Sequence, residues 1–517
     1  MMRTMGRETL SRLGLVLGVL VYAGCQDLDV ANPNAPDRDR ALTQPASVES
    51  LLASSWRAVW DRAHWAATAA YPLPTLGDEM TATYSNNANL ELSSEPRMPF
   101  DNTSTSASHT VARIAWLDFN EMLAAGNDVL AVIERGLVVE TNDGTGLKDN
   151  TERARTFAKF MQGLGLGYLG LAFDRAYIAD EHTDLENLPD YSPYPEVVAA
   201  GIEKLEEAAA LAEANDFTLP NTWILGVTVS NEELARIAHS YIARFLVYAA
   251  RNPAERAAVD WDAVIEHVDA GITADHGVVM SSNVSSYYLL RAQSATALPA
   301  RADYRLIGPA DISGRYQQWI QAPPEQSNRF DIVTPDRRIT GPGGPQTDGK
   351  YFRYMPTDVG FDATRGTYHL SAYQWYRLGG RYNSGPAAIM SVDEMRLLKA
   401  EAYLRKGMLQ EAADLINVTR VTNGELPPVT ADGVPESADC VPRTDEGACG
   451  SLLDALHYER MIELTGLDAM RAWLDRRGFG TLTPGTFLHF PVPASELEIV
   501  GIPIYTFGGI GREGSAE

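Results

Sequence analysis

The sequence predicts a mainly α-helical fold, in which antiparallel helix pairs form a scaffold that is interrupted by long, loop-rich insertions. Apolar residues recur at spacings of three and four along several segments, and Gly, Pro and Asn breakers separate those segments. The chain has 517 residues, 45% of them hydrophobic, which is enough for a sizeable core. A helical repeat protein of this length can form one continuous body.

Helical patterning begins near Ser47 and then recurs in pairs. The segment 151–177 places its apolar residues on one face, and a partner follows over 195–213. The next predicted pair covers 232–250 and 261–272, and Arg251-Asn252-Pro253 separates its two helices.

The third pair has the clearest boundaries. Ser391 and Glu394 have the spacing of a capping box, which opens a helix that ends at Gly407. A second helix is predicted over 409–421. Small residues let the two helices approach closely, as in a tetratricopeptide hairpin, although the repeats are not evenly spaced; these residues are Ala400, Ala402, Ala412 and Ala413.

Residues 1–24 have the layout of a bacterial lipoprotein signal peptide. Three arginines precede an apolar stretch that is too short to cross a bilayer comfortably, and small residues stand before Cys25. We expect cleavage before Cys25 and acylation of its side chain, with 25–46 as a lipid-anchored tether and 47–517 as a single helical body. An ordinary secretory signal peptide and an unprocessed anchor helix are the alternatives.

The net charge of −25 argues against nucleic acid as a partner. The sequence contains no metalloprotease, serine-hydrolase or P-loop motif, and its nine histidines lack metal-ligand spacing. We therefore predict no catalytic residues, no metal site and no cofactor.

Two cysteines besides Cys25 lie close together, Cys440 and Cys449. In an oxidising compartment this pair predicts a disulfide that closes a short surface loop. A metal site is the competing interpretation, but two thiols without a nearby histidine pair supply too few ligands.

An insertion at about 280–390 differs in composition from its surroundings. It holds 15 of the chain's 45 aromatic residues, and its 11 Arg and 1 Lys outnumber 7 Asp and 1 Glu. Aromatic enrichment in a loop-rich region suggests a recognition surface. Alternatively, the arginines pair with the acidic helical body and the aromatic residues fill a loop core.

Two further patterns, a glycine string and a pair of glutamates, are better explained by structural roles than by chemistry. Gly165-Leu-Gly-Tyr-Leu-Gly170 matches a dinucleotide fingerprint, but a charged helical segment precedes it where a strand is required, so helix packing is favoured. Glu459 and Glu463 lie one helical turn apart, as a glycosidase pair could. Because arginines surround them, we predict an ion-pair network.

Several segments together resemble the SusD/RagB family of outer-membrane nutrient-binding lipoproteins, and they span nearly the whole chain after Cys25. They are Leu28-Asp-Val with Asn32-Pro-Asn-Ala-Pro36, the helix 391–405, Glu459-Arg460 with Glu463-Leu464, and Leu488-His-Phe-Pro-Val-Pro493. The run Arg471-Ala-Trp-Leu-Asp-Arg-Arg477 departs from the family's usual order.

The resemblance implies a SusD-like scaffold of tetratricopeptide-like hairpins with the ligand site on long loops. It also implies a non-catalytic protein, lipid-anchored at the outer membrane and exposed on the cell surface. Such a protein captures glycans or peptides and delivers them to a TonB-dependent, SusC-like transporter. An exported all-helical glycoside hydrolase and a helical scaffold lipoprotein of an envelope complex are the rival functions.

We place the ligand site where aromatic residues of the insertion meet the early loop-like segment 77–86. Aromatic faces can stack on sugar rings or peptide side chains, while Asp, Asn and Arg hydrogen-bond hydroxyl or carboxylate groups. The predicted ligand-binding residues are Asp78, Tyr84, Asn86, Tyr316, Trp319, Trp375 and Tyr376.

Overall fold

The computed structural model describes residues 42–63, 72–81, 88–142, 146–184, 186–280, 301–323, 329–356, 371–375 and 385–517. The predicted signal peptide, Cys25 and most of the tether lie outside the described residues. The described part is mainly helical, as predicted.

The described helices are numbered in chain order. They are α1 Pro45–Ala63, α2 Pro72–Leu76, α3 Asn89–Ser93, α4 Ala107–Glu134, α5 Thr151–Ala172, α6 Tyr194–Ala214, α7 Asn231–Tyr248, α8 Pro253–Ala257, α9 Trp261–Asp269, α10 Tyr304–Ile307, α11 Arg315–Gln321, α12 Val392–Arg405, α13 Leu409–Thr422, α14 Leu452–Glu463, α15 Arg471–Phe479 and α16 Ala494–Val500. None of them combines the length and the apolar character that a membrane span requires.

Consecutive long helices pack against one another, from α4 through α5 and α6 to α7, and then through α9 to the pair α12 and α13. Five of the six predicted helices have bounds within three residues of the observed ones. The exception is α5, which ends at Ala172 and not at Tyr177. Phe173 has extended backbone angles, and Arg175–Ala176 then pairs as a strand with Ser192–Pro193.

Glycines allow α5 and its neighbours to approach closely. A Cβ atom built on Gly167 would lie 1.9 Å from the ring of Phe245 in α7, and one built on Gly201 in α6 would lie 2.5 Å from the backbone nitrogen of Gly167. The glycine string 165–170 therefore lies inside a helix and serves helix packing. It does not form a phosphate-binding loop.

The predicted capping box at α12 forms only in part. The Ser391 hydroxyl accepts from the backbone N–H of Glu394 at 3.1 Å. The Glu394 carboxylate does not return to Ser391 but accepts two hydrogen bonds from Arg244 of α7, at 2.9 and 2.5 Å. Both side chains are almost fully excluded from solvent. A buried ion pair between α7 and α12 therefore takes the place of the second half of the capping box.

The strands of the described residues form two-stranded antiparallel pairs. They are β1 Met80–Thr81, β2 Glu140–Asn142, β3 Leu147–Asp149, β4 Arg175–Ala176, β5 Ser192–Pro193, β6 Thr218–Ile224, β7 Val227–Ser230, β8 His276–Met280, β9 Arg301–Ala302, β10 Phe352–Tyr354, β11 Tyr373–Trp375 and β12 Gly385–Met390. Strands β8 and β12 pair Met280 with Gly385, so the two ends of the insertion leave the scaffold side by side.

Buried ion pairs tie the scaffold to the C-terminal helices. The Arg256 guanidinium lies 2.7 Å from the Glu401 carboxylate of α12 and 2.9 Å from the Asp475 carboxylate of α15. Arg460 of α14 donates to Asp475 at 2.8 Å. Burial opposes the charge on Asp475, but Arg460 and Arg256 outweigh it and lower the pKa of this carboxyl.

Candidate functional site

A cavity of about 670 Å³ lies between the insertion and the C-terminal helices. We call it the Tyr316 cavity. The insertion contributes Arg305, Tyr316 and Ile320, the segment between the two cysteines contributes 442–446, and the C-terminal region contributes Asp454, His457, Tyr458, Met461, Arg476, Thr481 and Thr483.

Short capped helices position the insertion wall. The Asp303 carboxylate accepts from the backbone N–H of Arg305 at 2.8 Å at the start of α10. The buried Asp311 carboxylate accepts from the backbone N–H of Tyr316 at 3.3 Å near the start of α11. Gly308 lets the Tyr316 ring approach, because a Cβ atom there would lie 2.1 Å from the Tyr316 Cδ2 atom.

An aromatic layer supports this wall from behind. The ring of Trp319 is nearly parallel to that of Tyr316, with centroids 6.1 Å apart, and packs against Tyr304 at 5.1 Å. Tyr304 stacks on Phe330 at 4.3 Å. Trp319 is only 6% exposed, so its ring is part of the core of the insertion.

Asp78 supports the opposite wall. Its carboxylate accepts hydrogen bonds from Arg97 at 2.5 Å and from the Thr483 hydroxyl at 2.8 Å, and it lies 3.3 Å from Arg476. Arg476 and Thr483 line the cavity, whereas Asp78 is 1% exposed and lies behind them. Its carboxylate therefore fixes the positions of cavity residues.

The rim of the cavity is a disulfide-closed loop. Cys440 and Cys449 form a disulfide with their Cα atoms 5.7 Å apart. The backbone N–H of Arg443 donates to the Pro309 carbonyl at 2.8 Å, which docks the loop on the insertion. The side-chain amide of Gln317 donates to the carbonyl of residue 444 at 3.0 Å and adds a second link.

Charges of both signs line the Tyr316 cavity. Asp445 is exposed at the rim, but partial desolvation of its carboxyl and the neighbouring Glu446 raise its pKa. Burial opposes the charge on Arg305, but Asp78, Glu95 and other acidic groups outweigh it and raise the pKa of that guanidinium. Hydrogen-bond donors and acceptors thus converge beside a tyrosine ring, an arrangement that suits a ligand with many hydroxyl or amide groups.

The predicted ligand residues have different positions. Tyr316 lines the cavity, and Trp319 and Asp78 lie behind its walls. Trp375 is the last residue of β11, where its backbone pairs with Phe352. Tyr84, Asn86 and Tyr376 lie outside the described residues.

The early segment and the insertion meet at a short sheet. Met80 pairs with Ala302 and Thr81 pairs with Arg301, both in antiparallel register. The backbone N–H of Asp303 also donates to the Glu79 carbonyl at 3.3 Å. This contact lies directly before α10 and so helps to place the insertion wall of the Tyr316 cavity.

Solved structures with the same architecture are SusD-like proteins. A SusD homolog from Bacteroides thetaiotaomicron VPI-5482 superposes with a TM-score of 0.57 at 13% identity, over 89% of this chain and 97% of that chain. A SusD superfamily protein from Bacteroides vulgatus ATCC 8482 gives 0.52 at 15% identity, over 88% and 97%. A SusD-like protein from Bacteroides fragilis NCTC 9343 gives 0.52 at 14% identity, over 91% and 98%. The chain has the SusD-like fold.

The predicted resemblance is therefore confirmed at the level of fold. No family model matches the sequence, and no curated protein matches it.

Within this SusD-like fold, Glu459 and Glu463 are fully buried. Arg338 of the insertion donates to Glu459 at 2.7 Å and to Glu463 at 3.3 Å, and the Tyr351 hydroxyl donates to Glu463 at 2.7 Å. The predicted ion-pair network exists, although the partner comes from the insertion and not from the neighbouring arginines. Neither carboxylate lines the cavity.

Sequence analysis did not predict a role for the loop between the cysteines in the cavity. Arg443, Thr444, Asp445 and Glu446 are four consecutive polar residues that the disulfide holds together. Such a run inside a closed loop is the signal that could have suggested a binding rim, because the closed loop restricts where polar side chains can point.

Proposed function

We propose that this protein is a non-catalytic, lipid-anchored binding protein of the outer membrane. In this proposal it captures an oligosaccharide or a peptide and delivers it to a TonB-dependent, SusC-like transporter. The observation that carries the proposal is the SusD-like fold, which extends over about nine-tenths of the chain. The signal-peptide layout before Cys25 supports the lipid anchor.

We assign ligand capture to the Tyr316 cavity. Its volume of about 670 Å³ falls in the range of small-molecule and oligosaccharide sites. Its lining includes three arginines and four acidic side chains, and threonine hydroxyls and Tyr316 lie among them. These groups match the alternating donors and acceptors of a glycan, and a peptide backbone offers the same two kinds of group.

Calorimetric titration with a panel of oligosaccharides and peptides tests this assignment. Asp445→Asn keeps the size of an exposed rim side chain and removes its charge. We expect roughly tenfold weaker binding, because a hydrogen bond to a charged group contributes about 1.5–3 kcal/mol. Asp439→Asn is the matched control, since Asp439 is exposed just outside the disulfide and does not line the cavity. Equal affinities of the two variants would contradict the assignment.

Delivery to a transporter is tested separately. Affinity purification of the mature protein from outer membranes should retain a large β-barrel receptor, whether or not Asp445 is changed. A helical scaffold lipoprotein, the rival function, would retain envelope partners but bind none of the oligosaccharides or peptides.

The hydrolase alternative rests on one observation. Asp445 has a raised pKa and shares the cavity with Asp454 and Glu446, as a general acid near other carboxylates would. Turnover of a bound oligosaccharide that disappears in Asp445→Asn would favour the hydrolase. We expect binding without turnover.

A further inference from the structure

Two histidine side chains from different helices converge on the scaffold, away from the residues of the Tyr316 cavity. His239 lies on α7 and His267 lies on α9, and their Nδ1 atoms are 2.9 Å apart. The ring centroids are 5.1 Å apart, with the planes tilted by 33°. The two residues are 28 positions apart in the sequence, so no short sequence motif predicts that they meet.

The 2.9 Å separation is that of a hydrogen bond between the two nitrogens in the metal-free protein, and it also equals the separation expected for one coordination geometry. Two imidazole nitrogens that each lie about 2.0–2.1 Å from one metal ion at a right angle are separated by about 2.9 Å. Tetrahedral ligands at the same bond length would be separated by about 3.3–3.4 Å. Right-angled nitrogen ligands are typical of tetragonal Cu²⁺, and imidazole is a favoured ligand of that ion.

Acidic residues of α6 stand behind both rings. The Glu213 carboxylate lies 3.8 Å from His239 Nε2, and the Glu206 carboxylate lies 4.0 Å from His267 Nε2. Both distances are longer than a hydrogen bond, so each glutamate side chain must move closer to its ring before it can orient a metal-bound imidazole.

Both histidines are available to an ion. Their side chains are 19% and 12% exposed, so they are neither sealed in the core nor fully solvated.

We propose that His239 and His267 bind Cu²⁺ through their Nδ1 atoms, with water completing the coordination and Glu213 and Glu206 orienting the rings. In the metal-free protein one proton is shared between the two nitrogens. Copper replaces it after a small rotation of the rings, and the displaced proton moves to the Nε2 atom of the same ring, so both imidazoles stay neutral.

A second group of potential ligands serves as the internal control. Glu134, Glu181 and His182 lie within ligand distance of one another. Glu181 is already engaged, since its carboxylate accepts from Lys159 at 2.9 Å and from the Gln162 amide at 2.6 Å. We therefore expect His182 to contribute nothing to copper binding.

The test is titration of the chelator-treated mature protein with Cu²⁺ in the presence of glycine as a weak competitor. We expect one equivalent to bind, with an electron paramagnetic resonance spectrum that shows two coordinated imidazole nitrogens. His239→Gln and His267→Gln should each weaken binding at least about tenfold and remove one nitrogen from the spectrum, while His182→Gln should change neither.

Glu213→Gln provides a variant at an exposed position that should fold normally. We expect it to weaken copper binding by about tenfold, which is the usual effect of removing a carboxylate behind a metal-bound histidine. A wild-type spectrum without two imidazole nitrogens would overturn the proposal. Unchanged affinity in folded His239→Gln, or loss of the site in His182→Gln, would overturn it equally.

Discussion

Tyr316 and Trp319 lie three positions apart on the short helix α11, yet only Tyr316 reaches the cavity. Trp319 packs between Tyr304 and Tyr316. The Arg305 guanidinium lies 5.4 Å from the centre of the Trp319 ring. Its substitution would therefore change the packing of the insertion before it changed any ligand contact. A test of the site should act on Tyr316 or on the rim.

Gly308→Ala tests the position of the Tyr316 ring. Its new Cβ atom would lie 2.1 Å from Tyr316 Cδ2 and must displace the ring. We expect severalfold weaker ligand binding in calorimetry, and a loss of about 1–3 kcal/mol in unfolding free energy from overpacking. Gly343→Ala is the control, because only the Thr347 side chain lies near that position. Unchanged affinity in Gly308→Ala would show that the ring does not shape the site.

His276 gives a prediction for pH dependence. It is buried in β8, and burial together with Arg244 lowers its pKa to about 4. The unfolded chain binds this proton at a higher pH than the folded chain, so stability falls as the pH drops from about 6.5 towards 4. Protonation of His276 should lower the unfolding free energy by roughly 2–3 kcal/mol over this pH range.

Urea unfolding of wild-type protein and of His276→Gln, at pH 7 and pH 4.5, measures this contribution. His276→Gln should lose less stability between the two pH values than the wild type. Replacement of the exposed His182 by Gln should leave the pH dependence unchanged. Identical slopes for wild type and His276→Gln would contradict the assignment.

Among the elements, the disulfide-closed loop links stability to the site. Closing this short loop stabilises the folded state by about 2–3 kcal/mol in the chain-entropy model. It also holds Arg443 against the insertion, so the rim should loosen when the disulfide is removed.

Replacing Cys440 and Cys449 together by Ser should lower the unfolding free energy by up to that amount and weaken ligand binding severalfold. Mass spectrometry of unreduced wild-type peptides checks the pairing itself. Free thiols in the purified wild-type protein, or a double variant with unchanged stability and affinity, would contradict this role.

Local patterns predicted the helices well because apolar periodicity and breakers are properties of the neighbouring sequence. The bounds of α6, α7 and α13 follow directly from them. The choice of partners does not, since Glu394 binds Arg244 and Glu459 binds Arg338 over long sequence separations. The local pattern at Ser391 therefore predicted a capping box whose second half a distant arginine replaces.

The candidate site was predictable only in outline. Aromatic enrichment correctly marked the insertion as distinct, but composition cannot separate a ring that lines a cavity from one that fills a core. In the described part of the insertion, Tyr304, Trp319 and Phe352 are buried, as the alternative interpretation expected. Which ring reaches the cavity depends on contacts with the loop at 442–446, which lies far along the chain.

At the scale of the whole molecule, Cys25 should determine where the protein resides. Cys25→Ser removes the acylation site, so the mature protein should move from the membrane fraction to the soluble fraction. Cell fractionation and immunoblotting measure this. The double variant with Cys440 and Cys449 both replaced by Ser is the control, because it removes the chain's other two cysteines without changing the signal peptide. Membrane association that persists in Cys25→Ser would contradict a lipid anchor.

Met280 and Gly385 pair across two antiparallel strands, so the backbone enters and leaves the insertion at adjacent positions. The cost of closing a loop rises slowly with its length, by about 0.6 kcal/mol for each doubling, so a change in the length of the insertion's loops alone costs the scaffold little. Evolution, or a protein engineer, could thus vary the loops of the insertion and change what is recognised, provided that the contacts of Arg338 with the buried Glu459 and Glu463 are kept.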